Sequence, residues 1–173
     1  LCDRRQRQMC IRDSMTGLDE THFGPAGPLH REQFAVALYR MAGEPYVEGD
    51  NIFKDVDENS WYGAAVCWAN QTGIITGYGD TGLFGIGDLV TREQAATMLF
   101  RFANYKGYDT SQRQSLNIFP DGNAVAEFAR TSMEWAIGAN IISGDQGCIN
   151  PQSSLSRAQM ATVLTRFMKM YIN

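Results

Sequence analysis

The chain repeats itself, and this limits its possible folds more than any bulk property does. The stretch "GIITGYGDTGLFG" (residues 73–85) has a second version in "NIISGDQGCIN" (residues 140–150) and a third in "MTGLDETHFGP" (residues 15–25). Near-identical phrases follow them: "TREQAA", "SRAQMA" and "HREQFA". A unit this short cannot bury its own apolar face and must stack on its neighbours. Function is therefore to be sought in what the copies share.

Copy two opens on "NIFKDVD" (residues 51–57) and copy three on "NIFPDGN" (residues 117–123). Phe53 aligns with Phe119, and Asp55 with Asp121. After a one-residue slip, Trp61 aligns with Phe128, Trp68 with Trp135, and Ile74-Ile75 with Ile141-Ile142. After a two-residue deletion, Arg92 aligns with Arg157, Leu99 with Leu164 and Phe102 with Phe167. Copy one supplies only its second half: Gly17 aligns with Gly77, Phe23 with Phe84, Arg31 with Arg92 and Leu38 with Leu99. Its first helix is expected upstream of Met15, so the sequence reads as the carboxy-terminal part of a longer protein. The expected organisation is a half repeat over residues 15–46 and full repeats over residues 51–106 and 117–173. Polar, glycine-bearing linkers cover residues 43–51 and 107–117, and both are short enough to keep the copies packed.

Each copy reads as helix, loop, helix. In copy two the first helix is expected from Trp61 to Thr72, with Ser60 or Asn59 as its cap. Gly73 suits the left-handed position after the last turn, and Asn140 takes that place in copy three. Thr91 with Gln94, and Ser156 with Gln159, have capping-box spacing, while His30 is a poorer cap. The second helices carry apolar stripes at i, i+3, i+4 and i+7. These are Phe34, Ala37, Leu38, Met41; Ala95, Met98, Leu99, Phe102; and Met160, Val163, Leu164, Phe167. Three equivalent stripes favour one shared core, so the expected fold is all-α, with helix-loop-helix repeats in a pseudo-threefold module whose first repeat is truncated.

Charge and cysteine content narrow the function. The formal charge is −4, which disfavours a nucleic-acid partner because phosphate binding needs a basic face. Apolar runs are short and interrupted, so no membrane insertion is expected. Residues 1–14, "LCDRRQRQMCIRDS", lack apolar periodicity, and residues 4–14 resemble a translated sequencing adapter. They are set aside as an assembly scar, the alternative being a native basic arm for an anionic surface. Those fourteen residues hold four arginines and two aspartates, so without them the charge falls from −4 to −6. Only Cys67 and Cys148 then remain, at non-equivalent positions, so neither a disulfide framework nor a metal site is expected.

The combined order Phe-x-Asp-Val, Trp, Ala, Gly-Ile-Ile-x-Gly, Phe, Thr-Arg-x-x-Ala resembles the surface-layer homology (SLH) domain of bacterial envelope proteins. The resemblance spans nearly all of residues 15–173. It implies an extracellular, non-catalytic module of three repeats that anchors a secreted protein to the cell wall or S-layer. The implied partner is a secondary cell-wall polysaccharide, often bearing a pyruvate ketal, or peptidoglycan. No cofactor is implied, and the resemblance leaves the oligomeric state open. The family's Thr-Arg-Ala-Glu signature stands here as "TREQ" (residues 91–94), "SRAQ" (156–159) and "HREQ" (30–33), with all three arginines kept and glutamine in place of glutamate. A capping role tolerates that exchange. Copy three lacks the valine after Asp121 and shortens the glycine loop.

The resemblance makes Arg31, Arg92 and Arg157 the first glycan-binding candidates. A planar guanidinium suits a carboxylate, and a helix start favours an anion. Trp61, Tyr62 and Tyr78 are suited to lie against a sugar ring. Asp55, Asp121 and Asp80 are suited to accept from hydroxyls or to orient the arginines. Each has a bland alternative: Arg92 and Arg157 stand equally as structural residues, Trp61 and its counterpart Phe128 as packing, and Asp55 and Asp121 as turn caps. Trp68 and Trp135 read as core, and Arg40, Arg101 and Arg166 as cations at helix carboxy-ends. "DVDEN" (residues 55–59) mimics a calcium loop but lacks its later glycine and glutamate. His22, His30, Glu134 and Asp145 have no repeated catalytic partners. The competing functions are a protein–protein module of the envelope and the tail of an upstream cell-surface glycoside hydrolase.

Overall fold

A computed structural model describes residues 24–171. The half repeat before Gly24, including Gly17, His22 and Phe23, and the adapter-like residues lie outside the described residues. The described chain is all-α, with five α-helices, short 3-10 turns and no β-strand beyond isolated bridges. The helices are α1 (Arg31–Ala42), α2 (Gly63–Gln71), α3 (Arg92–Tyr105), α4 (Arg130–Gly138) and α5 (Arg157–Tyr171).

Two compact units divide the chain, one ending at Leu89 and the other beginning at Val90. The first holds α1 and α2, which pack on each other with Tyr39 and Trp68 rings 5.6 Å apart. The second holds α3, α4 and α5. Here α3 packs on α4, and Trp135 touches Phe100 from α3 and Phe167 from α5 edge-on, at 5.4 and 6.4 Å. In both units the second helix of one copy packs on the first helix of the next. The packing unit is therefore offset by half a copy from the sequence repeat.

The linkers make this pairing possible, and they are themselves packed. In the first unit Tyr39 donates to the Pro45 carbonyl and Gln71 to the Glu48 carbonyl. In the second, Tyr108 stacks on Tyr171 at 4.7 Å, and the Gln114 amide donates to the Glu134 carbonyl. The stripe residues are buried as expected, except Met41, which is half-buried. Burying each of the larger stripe side chains, such as Phe34, Leu99 or Phe167, contributes about 1.5–3 kcal/mol.

The helix ends follow local chemistry. Thr91 with Gln94, and Ser156 with Gln159, form reciprocal capping boxes. Gly73 (φ +70°) and Asn140 (φ +55°) take the left-handed position. The start of α2 differs from expectation. Tyr62 is its N-cap and no side chain caps it, while the Ser60 hydroxyl donates back to Asp57. The turn over residues 57–63 delays the helix, and Gly63 fits there because a Cβ would lie 2.2 Å from the Glu58 carbonyl oxygen.

Candidate functional site

Arg31, Arg92 and Arg157 each occupy the first position of a helix, and all three are buried, at 3%, 8% and 3% exposure. A buried guanidinium must be hydrogen-bonded, and for Arg31 and Arg92 the glycine loop of the following copy supplies the acceptors.

In the first unit Arg31 Nε donates to the Phe84 carbonyl at 3.0 Å, and its backbone amide donates to the Asp88 carbonyl. The guanidinium lies 4.6 Å from the Tyr78 ring centre and 5.3 Å from that of Phe84, both cation–π distances. Asp55 holds the same loop from its other side. Its carboxylate accepts from the amides of Phe84, Gly85 and Ile86 at 2.8, 2.8 and 3.0 Å. Asp55 thus reaches across some thirty residues to the loop that receives the arginine. The buried Glu32 carboxylate takes the Gly87 amide.

The second unit repeats this plan. Arg92 Nε donates to the Ile149 carbonyl and Nη2 to the Ser143 carbonyl, both at 2.7 Å. Asp121 accepts from the Ile149 and Asn150 amides at 2.8 and 2.6 Å. The buried Glu93 accepts from the Ala126 amide. Beside Arg92 lies an open cavity of about 240 Å³, lined among others by Ser143, Asp145, Gln159, Thr162 and Arg166. Arg166 Nη1 donates to the Ser143 hydroxyl at 3.0 Å, so two cations border one space.

Electrostatics follow from these bonds. Burial pushes the Asp55 and Asp121 carboxyls up, but the loop amides outweigh it and both end below the ordinary value. Burial lowers all three guanidinium values, with Tyr78, Asp88, Asp55 and Glu32 pulling Arg31 back up, and Asp145 and Asp121 doing so for Arg92. Burial raises the Tyr78 phenol, which is hydrogen-bonded to Asp88.

The sequence-predicted candidates separate accordingly. The structure brings together Arg31, Asp55 and Tyr78 on one loop, and Arg92 and Asp121 on the other. Arg157 is buried but does not line the cavity. Trp61 and Tyr62 form an edge-to-face pair of their own at 5.4 Å, ahead of α2. Trp61 and Phe128 are 63% and 59% exposed, which overturns the packing reading for both. The Asp80 side chain lies outside the described residues. Sequence reasoning missed Arg166, Ser143 and Asp145 as cavity-lining residues. Arg166 had a visible signal, an arginine nine residues after Arg157, but helix-dipole compensation accounted for it equally well.

Among the described residues no helix is long and apolar enough to cross a membrane. Residues 52–96 and 118–161 match the S-layer homology domain. The chain is 28% identical over 155 residues to an endoglucanase of Bacillus sp. (strain KSM-635), covering 89% of this chain and 16% of that protein. It is 28% identical over 149 residues to the surface-layer 125 kDa protein of Lysinibacillus sphaericus, covering 84% of this chain and 12% of that protein. The matched region is thus a small part of each relative. The chain belongs to the S-layer homology domain family, a non-catalytic module that holds surface proteins at the bacterial cell wall.

Proposed function

We propose that the chain anchors its parent protein by binding an anionic secondary cell-wall polysaccharide in the cavity beside Arg92. The carrying observation is the convergence of Arg92 and Arg166 on one open space that also offers the hydroxyls of Ser143 and Thr162 and the amide of Gln159. Two cations suit a carboxylate such as a pyruvate ketal, and the neutral donors and acceptors suit sugar hydroxyls. Two of the five N–H donors of Arg92 are held by backbone carbonyls, which fixes the fork before any ligand arrives. The wall polymer is repetitive, so even a weak site gains from high local ligand concentration.

The parent protein is proposed to be a surface enzyme or a surface-layer protein, in line with the two relatives. A second reading, an envelope protein–protein module, draws on one observation. Ile52 and Trp61 in copy two, and Ile118 and Phe128 in copy three, are exposed apolar residues at equivalent positions. Co-sedimentation with Gram-positive walls before and after acid removal of secondary polymers tests the choice. The polysaccharide reading expects binding to intact walls only. Equal binding to stripped walls would move the target to peptidoglycan, and binding to neither would contradict the anchor reading.

A further inference from the structure

The two loops have corresponding residues that can be paired by contact. Gly77 and Gly144 both lie against a phenylalanine of the opening motif and against the far side of their own turn. A Cβ on Gly77 would be 2.5 Å from Phe53 Cε1 and 2.6 Å from the Leu83 carbonyl oxygen. On Gly144 it would be 3.1 Å from Phe119 Cε1 and 3.2 Å from the Cys148 carbonyl oxygen. The next residue in each loop, Tyr78 or Asp145, donates its amide to that same carbonyl, of Leu83 or Cys148. Tyr78 and Asp145 therefore hold the same place.

Gly85 and Asn150 are paired in the same way. Both have positive φ, +93° and +52°, and both donate to the Oδ2 atom of their aspartate. A Cβ on Gly85 would lie 2.4 Å from Tyr78 Cε2 and 2.8 Å from Asp88 Oδ2. Gly85 thus leaves the room that the Tyr78 ring fills. Where the ring is replaced by the short Asp145, the partner position carries a Cβ. The two differences match each other, and they change what covers the arginine. Arg31 has an aromatic ring over its guanidinium, while Arg92 borders an open cavity with Asp145 on its wall.

We propose that the two arginine sites differ in kind: the Arg92 site takes the ligand, and Tyr78 is a built-in lid that occupies the ligand's place over Arg31. This rests on the wall-polysaccharide reading for the ligand, an anionic sugar, but the lid itself can be tested without one. Asp88 latches the lid through the Tyr78 hydroxyl. A chain with one open and one closed site binds a single polymer segment through these two loops.

The test uses the full chain, the soluble polysaccharide released from Gram-positive walls by mild acid as probe, and NMR of the arginine Nε–H groups. In the wild type the Arg92 signal is expected to shift on titration while the Arg31 signal stays in place. Tyr78→Asp is expected to make Arg31 respond as well. The converse pair, Asp145→Tyr with Asn150→Gly, is expected to silence Arg92. Equal response of Arg31 and Arg92 in the wild type would overturn the proposal, as would a silent Arg31 in Tyr78→Asp that circular dichroism shows to be folded. If Tyr78→Asp does not fold, Tyr78→Phe, which keeps the ring and loses the latch, is expected to respond weakly at Arg31, and the converse pair decides. If no arginine responds in any protein, the polysaccharide reading fails, and phenylglyoxal modification decides the lid alone. Opening Tyr78 should then speed modification of Arg31 several-fold and leave Arg92 unchanged, and an unchanged Arg31 rate would overturn the lid.

Discussion

Asp121 and Arg92 grip the same residue from opposite sides: the Ile149 amide donates to the Asp121 carboxylate at 2.8 Å, and the Ile149 carbonyl accepts from Arg92 Nε at 2.7 Å. Asp55 and Arg31 do the same to Phe84, at 2.8 and 3.0 Å. The two peptide units that flank this residue are thereby oriented, and each loop becomes the fixed frame against which its arginine is held. Asp55 and Asp121 act on the arginines through the loop.

Removing either aspartate leaves loop amides without acceptors. A hydrogen bond to a charged group contributes roughly 1.5–3 kcal/mol, so Asp55→Ala or Asp121→Ala, each losing more than one, is expected to cost at least about 3 kcal/mol. Asp55 serves three amides and Asp121 two, so Asp55→Ala should be the worse of the pair. Urea midpoints of the two variants check the order.

Acid should loosen the same loops. Both carboxyls lie below their ordinary value in the folded chain because the amides outweigh burial. A carboxyl depressed by folding contributes stability that is fully present above its unfolded value, about 3.9, and is lost as pH falls through the folded value. Thermal midpoints are therefore expected to hold from neutral pH to about 5 and to decline below about 4. The Asp55→Asn, Asp121→Asn double variant should start lower and show a shallower acid decline. An unchanged acid limb would place the titration elsewhere.

The tryptophans give a contrast within one residue type. Trp68 and Trp135 are 3% and 0% exposed, and truncating either to alanine is expected to cost about 3–5 kcal/mol. Trp61 is 63% exposed, and Trp61→Ala should stay within about 0.5 kcal/mol of the wild type. With stability unchanged, wall binding by Trp61→Ala then measures whether that ring meets a sugar.

Glycines separate by what surrounds them. Gly73 is left-handed with open space around it, so Gly73→Ala should cost only the left-handed penalty, about 1–2 kcal/mol. Gly77→Ala adds a collision with Phe53 and the Leu83 carbonyl, and Gly63→Ala one with the Glu58 backbone. Both should be worse than Gly73→Ala by calorimetry.

Much of this was legible in the sequence because it depends on short spacings. Apolar stripes, capping boxes and left-handed helix ends are local, and the structure has them at Leu99, Thr91, Gly73 and Asn140. The half-copy offset of packing was not legible, since it rests on which helices meet after the linker turns. The true start of α2 was hidden because Ser60 bonds backward to Asp57 instead of forward into the helix. The arginines were visible as a repeated letter, but the Tyr78 ring over Arg31 was not. It depends on Tyr78 meeting Gly85 across a turn, a pairing that appears only when the loops are superposed by contact.

Arg92 and Arg166 are proposed to hold an anionic wall polymer. Calorimetric titration of the polysaccharide released from Gram-positive walls checks this, comparing the wild type with Arg92→Ala, Arg166→Ala and their combination. Arg166→Ala, made at an exposed position, is expected to keep wild-type stability and weaken binding, and the combination is expected to abolish binding. Wild-type affinity in a folded Arg166→Ala protein would contradict the two-cation site, and wild-type affinity in the combination would contradict the cavity as the place of binding.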